Sequence, residues 1–423
     1  MPANLFQRAA PVRPGEAVPL LLATAYGFCI LFAYYLLRPV RDEIGAADRG
    51  NLQFLWTAVF FVMLLAVPLY SAAVSRWPRA VFIPLANRFF AVNLIGFYAA
   101  LTLLPQSARP WIDRIFYVWT SVFALFVVTV FWGFIVDLFR DEQGKRLFGF
   151  IAVGSSLGAV VGSASTAALA SQLPVFLLLL LAVPPLEGAC WLARALDRRA
   201  AHAPETLNRE PEPRIGGSAW SGIVPVLRDP ALRNIALWIL LMTFASTILY
   251  FVQSHLLGEA ISDRALRRAF LARIDLAVNA VTIVTQAFFT AHILARLGIG
   301  LTLALLPAVA ALGFLALGAA PTVVTLSALM IVRVLYDSSR HALAKPAREV
   351  LFTRVSREQR YKSKAFIDAA VYRGGDLVSG WLYAGFAALG LAAGAIALLA
   401  VPVAVVWGLL GWRLGRSTAP AHD

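Results

Sequence analysis

Residues Leu20–Leu37 read LLLATAYGFCILFAYYLL, and the run stops at Arg38-Pro39-Val40-Arg41-Asp42-Glu43. No charge interrupts it, and its apolar residues follow one another instead of alternating, which excludes a strand with one solvated face. A hydrocarbon core of roughly 30 Å needs about 20 such residues in helical form. Only helices and closed barrels satisfy every backbone group in lipid, and continuous apolarity selects helices. The same pattern returns near Leu52–Ser71, Val81–Leu104, Trp111–Val136, Leu147–Ala170 and Phe176–Leu192. It returns again near Ala231–Leu257, Ala269–Leu294, Leu301–Ala320, Val323–Val334, Ala365–Ala388 and Leu391–Trp412. The sequence therefore predicts an all-α polytopic membrane protein of about twelve transmembrane helices.

With 60% hydrophobic residues among 423, the bilayer sets the architecture. The segment before Leu20 carries Arg8 and Arg13 but no apolar core followed by a small-residue cleavage site, so the first run is expected to be retained as a helix. Cys29 and Cys190 fall inside apolar runs and read as small buried hydrophobes. The net charge of +14 concentrates in the N-terminus, the even-numbered loops and the C-terminus. The positive-inside rule then places both termini in the cytoplasm, as for a multi-pass bacterial inner-membrane protein. The basic excess is topology with a contribution from anionic headgroups, and no nucleic-acid partner is expected.

The stretch Arg194–Arg233 is polar, rich in Pro, Arg and Glu, and without helical periodicity. It reads as a cytoplasmic linker (195–230) between two six-helix halves, 1–194 and 231–423. An internal repeat supports the division: in one register Glu142-Gln143 meets Glu358-Gln359, Arg146 meets Lys362, Phe150-Ile151 meets Phe366-Ile367 and Gly158 meets Gly374. The same register pairs Phe28 with Phe244 and Tyr34 with Tyr250. Parallel repeats related by an axis along the membrane normal describe the major facilitator architecture. The basic loops Ser75-Arg76-Trp77-Pro78-Arg79 and Arg296-Leu297-Gly298 sit at equivalent places in the two halves.

Ionisable groups inside spanning helices are costly and mark solute paths or their counter-charges. Pro39 is expected to bend or open the first helix near Arg38, presenting Arg38 and Arg41, with Asp42 beside them, at a cavity mouth; an interfacial anchor is the plainer reading. In the eighth helix Asp275, Asn279, Thr282 and Gln286 step by four, three and four and share a face. That stripe reads as a pore lining or as interhelical glue. The tenth places Arg333, Asp337 and Arg340 or His341 on one face and ends in the basic stretch Lys345–Arg348, a gate or a substrate contact. In the eleventh, Lys364, Asp368 and Tyr372 share a face, with Arg373 and Asp376 beside it. Gly154, Gly158 and Gly162 read as a close-packing surface. No phosphate-binding loop, zinc spacing or nucleophile elbow appears, so neither catalytic residues, metal nor cofactor is expected.

Three blocks carry a family resemblance. They are Tyr35-Leu36-Leu37-Arg38-Pro39-Val40-Arg41-Asp42; Phe131-Trp132-Gly133-Phe134 with Glu142-Gln143-Gly144-Lys145-Arg146; and Lys345-Pro346-Ala347-Arg348-Glu349 with Lys362-Ser363-Lys364-Ala365-Phe366-Ile367-Asp368. In these the chain resembles the ATP/ADP translocases (nucleotide transporters) of plastids and intracellular bacteria, and more closely their bacterial, major-facilitator-like branch. The resemblance implies that a basic residue of the first block, here Arg41, and a lysine of the last, here Lys362 or Lys364, serve nucleotide transport. An acidic residue of the fourth translocase helix aligns with Thr120, and that departure sets strict ATP/ADP exchange apart from the shared fold.

Together these readings give a secondary transporter working by alternating access, an antiporter of nucleotides or other phosphorylated or organic anions. Substrate contacts are expected from Arg38, Arg41, Asn279, Gln286, Arg333, Lys362, Lys364 and Arg373. Asp42, Asp275, Asp337, Asp368 and Asp376 are expected to gate or couple. The partners are a small anionic solute and the bilayer, and the chain is expected to be a monomer. The rivals are a proton-coupled symporter or exporter of another solute, in which a carboxylate titrates, and a non-transporting receptor or embedded enzyme.

Overall fold

The computed structural model describes residues 13, 15–139, 141–202, 223–319, 325–352, 363 and 366–416, and among these there are helices and no strand. The helices are α1 (Ala17–Ala47), α2 (Leu52–Arg76), α3 (Arg79–Leu103), α4 (Arg109–Leu138), α5 (Asp141–Leu169), α6 (Val175–Leu181) and α7 (Val183–His202). They continue as α8 (Ile223–Arg228), α9 (Pro230–Ala260), α10 (Arg264–Val284), α11 (Thr290–Ala319), α12 (Thr325–Ser339), α13 (Lys345–Leu351), α14 (Tyr372–Ala388) and α15 (Ala393–Arg416). Wider π turns precede α11 (Thr285–Phe289), α13 (Arg340–Ala344) and α14 (Ile367–Val371).

Nine segments among the described residues are long and apolar enough to cross a membrane. One of them, Arg264–Ala319, has 56 residues, about 84 Å of helix at 1.5 Å per residue. It is two crossings, parted at Gly298, whose φ of 71° lies in the left-handed region open to glycine. The helices α12–α13 and α14 complete the twelve; Arg333, Asp337 and Arg340 in the first and Arg373 and Asp376 in the second keep them from reading as uniformly apolar. Large apolar side chains such as Leu64, Leu65, Phe89, Val92, Val405 and Val406 remain exposed on the outer faces, as lipid contact requires.

Three expectations change. Pro39 does not open the first helix: α1 runs through it to Ala47. The tenth crossing extends well past Val334, with the basic stretch Lys345–Arg348 inside α13. The polar stretch after Arg194 is helical at both described ends, in α7 and α8.

The chain divides into two compact units. The first comprises Met1–Ile44, Phe61–Arg214 and Asp263–Leu276; the second comprises Gly45–Phe60, Ile215–Ser262 and Ala277–Asp423. In the first, α1 and α5 pack through one glycine stripe. A Cβ on Gly154 or Gly158 would strike the Thr24 side chain or the Phe28 carbonyl, and one on Gly162 would lie 2.6 Å from the Phe32 carbonyl. One step further, the buried Thr166 hydroxyl donates to the Leu36 carbonyl at 3.0 Å. The Phe131–Phe134 block packs on Tyr26, edge to face at 5.0 and 6.1 Å. At the foot of α1 Glu16 accepts from Arg146 at 2.8 Å and Gln143 at 3.0 Å. Burial pushes this carboxyl up, but the Arg146, Arg13 and Gln143 hydrogen bonds outweigh it and hold it below its ordinary value.

In the second unit α9 packs on α14 through Gly375, whose Cβ would lie 2.9 Å from Leu240, and Gly380, 3.2 Å from Phe251. The sequence register pairs Gly158 with Gly374, yet nothing lies within 4 Å of a Cβ on Gly374. The π turn Ile367–Val371 explains the shift. Its i→i+5 bonding takes up one extra residue, so the next glycine faces the partner helix. Helices α11 and α15 also cross closely, with Gly300 against the Trp412 carbonyl and Gly411 against that of Leu303.

Two glycines of α5 give a direct test. Gly158→Ala overpacks a backbone carbonyl that cannot retreat and is expected to cost about 1–3 kcal/mol. Gly149→Ala meets nothing within 4 Å and is expected to be neutral or to stabilise by up to about 1 kcal/mol. Thermal unfolding of the purified protein in detergent reads the contrast, and equal midpoints would refute the packing role of the stripe.

Candidate functional site

Because α1 continues past Pro39, Arg38, Arg41, Asp42 and Glu43 lie on two helical turns instead of at a frayed mouth. Arg38 Nη1 lies 3.2 Å from Asp275 Oδ1 of α10, and its Nε lies 3.7 Å from Asp42 Oδ2 one turn on. Arg41 stacks on the Tyr117 ring, 4.3 Å from its centroid. Its Nε donates to Ser121 Oγ and its Nη1 to Asp42 Oδ1, both at 3.0 Å. Asp42 and Asp275 are buried, so both guanidiniums sit among compensating carboxylates in an otherwise apolar unit. The two arginines are therefore fixed in place, in the geometry that suits a planar, always-charged fork.

Glu43 belongs to the same stretch and was not singled out by sequence. It is 1% exposed, accepts hydrogen bonds from Arg264 of α10 at 2.8 Å and Arg267 at 3.1 Å, and pairs more distantly with Arg268 at 3.6 Å. Arg264 also reaches Asp113 at 2.8 Å, which Arg109 approaches at 3.2 Å. Arg264, Arg267 and Arg268 stand at i, i+3 and i+4 and share a face. That spacing was readable; their partner, distant in sequence, was not.

In the second unit Asp337 of α12 takes Arg333 at 2.7 Å and Arg340 at 3.5 Å, so the predicted face is assembled. Arg340 Nη1 also donates to Ser246 Oγ of α9 at 3.0 Å. Asp376 accepts from Thr247 Oγ1 at 3.0 Å and lies 3.6 Å from Arg373. Two of the π turns are tied to each other. Gln286 Nε2 donates to the His341 carbonyl at 3.3 Å and Thr290 Oγ1 to that of Ala342 at 2.9 Å. A π turn displaces backbone carbonyls from the regular ladder, and these side chains bond to them.

The polar stripe on α10 is divided: Asp275 belongs to the first unit, while Asn279 and Gln286 belong to the second. Asn279 is half-buried, and Gln286 is exposed within the π turn, where α-helical periodicity no longer fixes a face. Lys362 and Lys364 lie outside the described residues; Asp368 lies in the π turn, and its side chain is outside them too. Thr120 is fully buried and donates to the Phe116 carbonyl at 2.7 Å, so no charge stands there; the next residue, Ser121, holds Arg41. Cys29 and Cys190 are free thiols, and no cluster suited to a metal occurs among the described residues.

No family model matches the chain. It is similar to ADP,ATP carrier protein 1 of Chlamydia trachomatis, 22% identical over 483 aligned positions that cover 96% of this chain and 90% of the relative. ADP,ATP carrier protein 1 of Chlamydia muridarum is 22% identical over 445 positions, 87% of this chain and 82% of that one. The resemblance carried by three motifs thus extends along nearly the whole sequence. Among solved structures, a mutant form of the nucleoside transporter NupG superposes with a TM-score of 0.67 at 11% identity, covering 94% of this chain and 99% of that one. The POT family transporter PepTSo gives 0.65 at 13% identity (94% and 98% covered), and a bacterial homolog of the lysosomal transporter Spinster gives 0.59 at 15% (97% and 100%). The fold is of the major facilitator type, with two six-helix halves. The relatives are carrier proteins and the fold neighbours transporters, and the chain itself is a multi-pass membrane protein with that fold.

The Arg38–Asp275 pair generates a prediction. Asp275→Asn leaves Arg38 with the more distant Asp42 as its carboxylate contact and is expected to destabilise the protein by about 3–5 kcal/mol, the cost of breaking a buried pair from one side. Arg38→Met combined with Asp275→Leu is expected to recover most of that stability while transport stays lost. Unfolding midpoints and liposome uptake of the single and double variants check both halves of the statement.

Proposed function

We propose that the chain is a secondary transporter that exchanges nucleotides or other phosphorylated or organic anions by alternating access. It would lie in a bacterial inner membrane with both termini cytoplasmic. The observation that carries this reading is the placement of Arg38 and Arg41 on adjacent turns of α1, each paired with a carboxylate inside an apolar unit. In low dielectric an unpaired guanidinium attracts phosphate or carboxylate strongly. A solute anion arriving beside these arginines would compete with Asp42 and Asp275 for them, and the displaced carboxylate would need a new partner. Similarity to ADP,ATP carrier proteins favours nucleotides within this class. Thr120, buried and uncharged where the translocases are acidic, favours a substrate range unlike strict ATP/ADP exchange.

In this reading Arg38, Arg41, Arg333 and Arg373 contact the anion, with Lys362 and Lys364 supplying further positive charge and Asn279 and Gln286 neutral donors. Asp42, Asp275, Asp337, Asp368 and Asp376 serve as counter-charges that exchange partners during gating. Asp42, Asp275, Asp337 and Asp376 each stand beside an arginine, which favours that role over a proton carrier. The chain divides as 1–194, a cytoplasmic linker at 195–230, and 231–423.

Purified protein in liposomes loaded with unlabelled nucleotide tests the reading. Exchange of labelled nucleotide is expected without a pH gradient. Arg41→Ala should lower it at least about tenfold, the equivalent of one charge-assisted hydrogen bond, while Arg41→Lys retains part. Full exchange by a well-folded Arg41→Ala protein would reduce these residues to anchors.

Topology has its own test. With both native cysteines replaced by alanine, Ala201→Cys is expected to react with a membrane-impermeant maleimide only in opened cells. Labelling of intact cells would overturn the orientation.

A further inference from the structure

We propose that Arg264, Arg267 and Arg268 form a second anion site, suited to a terminal phosphoryl group, and that Glu43 occupies it as a built-in competitor. The first observation is an imbalance. Four guanidiniums, those of Arg109, Arg264, Arg267 and Arg268, surround two carboxylates, Glu43 and Asp113. Asp263, just before α10, is exposed and spends an oxygen capping the Leu266 amide at 2.7 Å.

The second observation is a mismatch of shape. A carboxylate has two oxygens in a plane, and both are taken up by Arg264 and Arg267. Arg268, only 6% exposed, is left with one long contact to Glu43, and its Nε has no hydrogen-bond partner among the described residues. A terminal phosphoryl group carries three oxygens in a tetrahedral fan and a charge of about −1.5 to −2. It would supply one acceptor to each of three guanidiniums and a charge close to the local excess. Arginine forks match phosphate oxygens well, whereas a phosphodiester offers only two free oxygens.

The site is separate from the Arg38–Arg41 pair. Glu43 lies two residues beyond Arg41 and so about 200° around α1, away from the side on which Tyr117 and Ser121 hold Arg41. Arg268 stands seven residues before Asp275, about 10 Å along α10. Access lies on the Arg264 side, where that side chain is 35% exposed while Arg267 and Arg268 are 7% exposed. The choice of a phosphorylated solute rests on the anion-exchange reading; the existence of the site does not.

The test measures inorganic pyrophosphate binding to the purified protein in detergent, by calorimetry and by the shift in unfolding midpoint, and needs no transport. Glu43→Gln removes the competitor and keeps the side chain's shape; it is expected to bind pyrophosphate about tenfold more tightly than the unmodified protein. Arg268→Gln leaves the two short contacts to Glu43 in place and is expected to weaken binding about tenfold. If Glu43→Gln fails to fold, Arg268→Gln decides alone. Unchanged affinity in Arg268→Gln, or no tightening in a folded Glu43→Gln, would overturn the proposal and leave the trio as a structural clamp. Equal Arg268-dependent stabilisation by phosphatidylglycerol would also overturn it, by assigning the arginines to a lipid headgroup. Pyrophosphate binding with this pattern in a protein that exchanges no nucleotide would sink the transport reading and leave the site standing.

Discussion

Charge compensation inside low-dielectric units governs where the buried charged residues of this protein stand. A buried guanidinium cannot shed its proton, so it must find an anion. Arg38 finds Asp275, Arg333 finds Asp337, and Glu43 gathers three arginines at once. Each pair costs desolvation on both sides and adds little net stability, and each is costly to break from one side only. The pairs therefore act mainly as constraints on position. They hold positive charge at chosen heights on α1, α10 and α12 without the disorder that long side chains otherwise keep.

The glycine stripe of α5 and the proline in α1 show how the apolar frame accommodates this. Gly154, Gly158 and Gly162 let the α1 backbone come close enough for carbonyl contact. That closeness fixes α1 along its length, and the arginines at its far end inherit the rigidity. Pro39 removes one amide from the ladder, yet the helix continues for two further turns, where Asp42 and Glu43 are themselves buried against their partners.

Much of the fold was legible in the sequence because apolar run length is a direct readout of bilayer thickness, and the α5 glycines announced themselves by spacing alone. The tenth crossing was drawn short because Arg333, Asp337 and Arg340 break apolarity without breaking the helix. The opening at Pro39 was expected from local chemistry and is overruled by packing. At the site, local geometry was readable: Arg333 with Asp337 and Arg373 with Asp376 are one-turn neighbours. Glu43 was passed over because its three partners lie more than two hundred residues away, and nothing in its own neighbourhood marks it. Faces drawn across the π turns were also out of reach, since α-helical periodicity presumes an unbroken ladder. The likeness to ADP,ATP carrier proteins is spread along the chain at 22% identity, and at Thr120 a buried hydroxyl bonds to its own helix.

Among the described residues, three π turns occur, and all fall after residue 284. An extra residue held within a helix shifts the phase of the side chains that follow it. Gly375, and not Gly374, makes the contact with α9. Beyond each of these turns the side chains keep a phase about one residue away from that of an unbroken helix, so equal spacing in sequence no longer means a shared face.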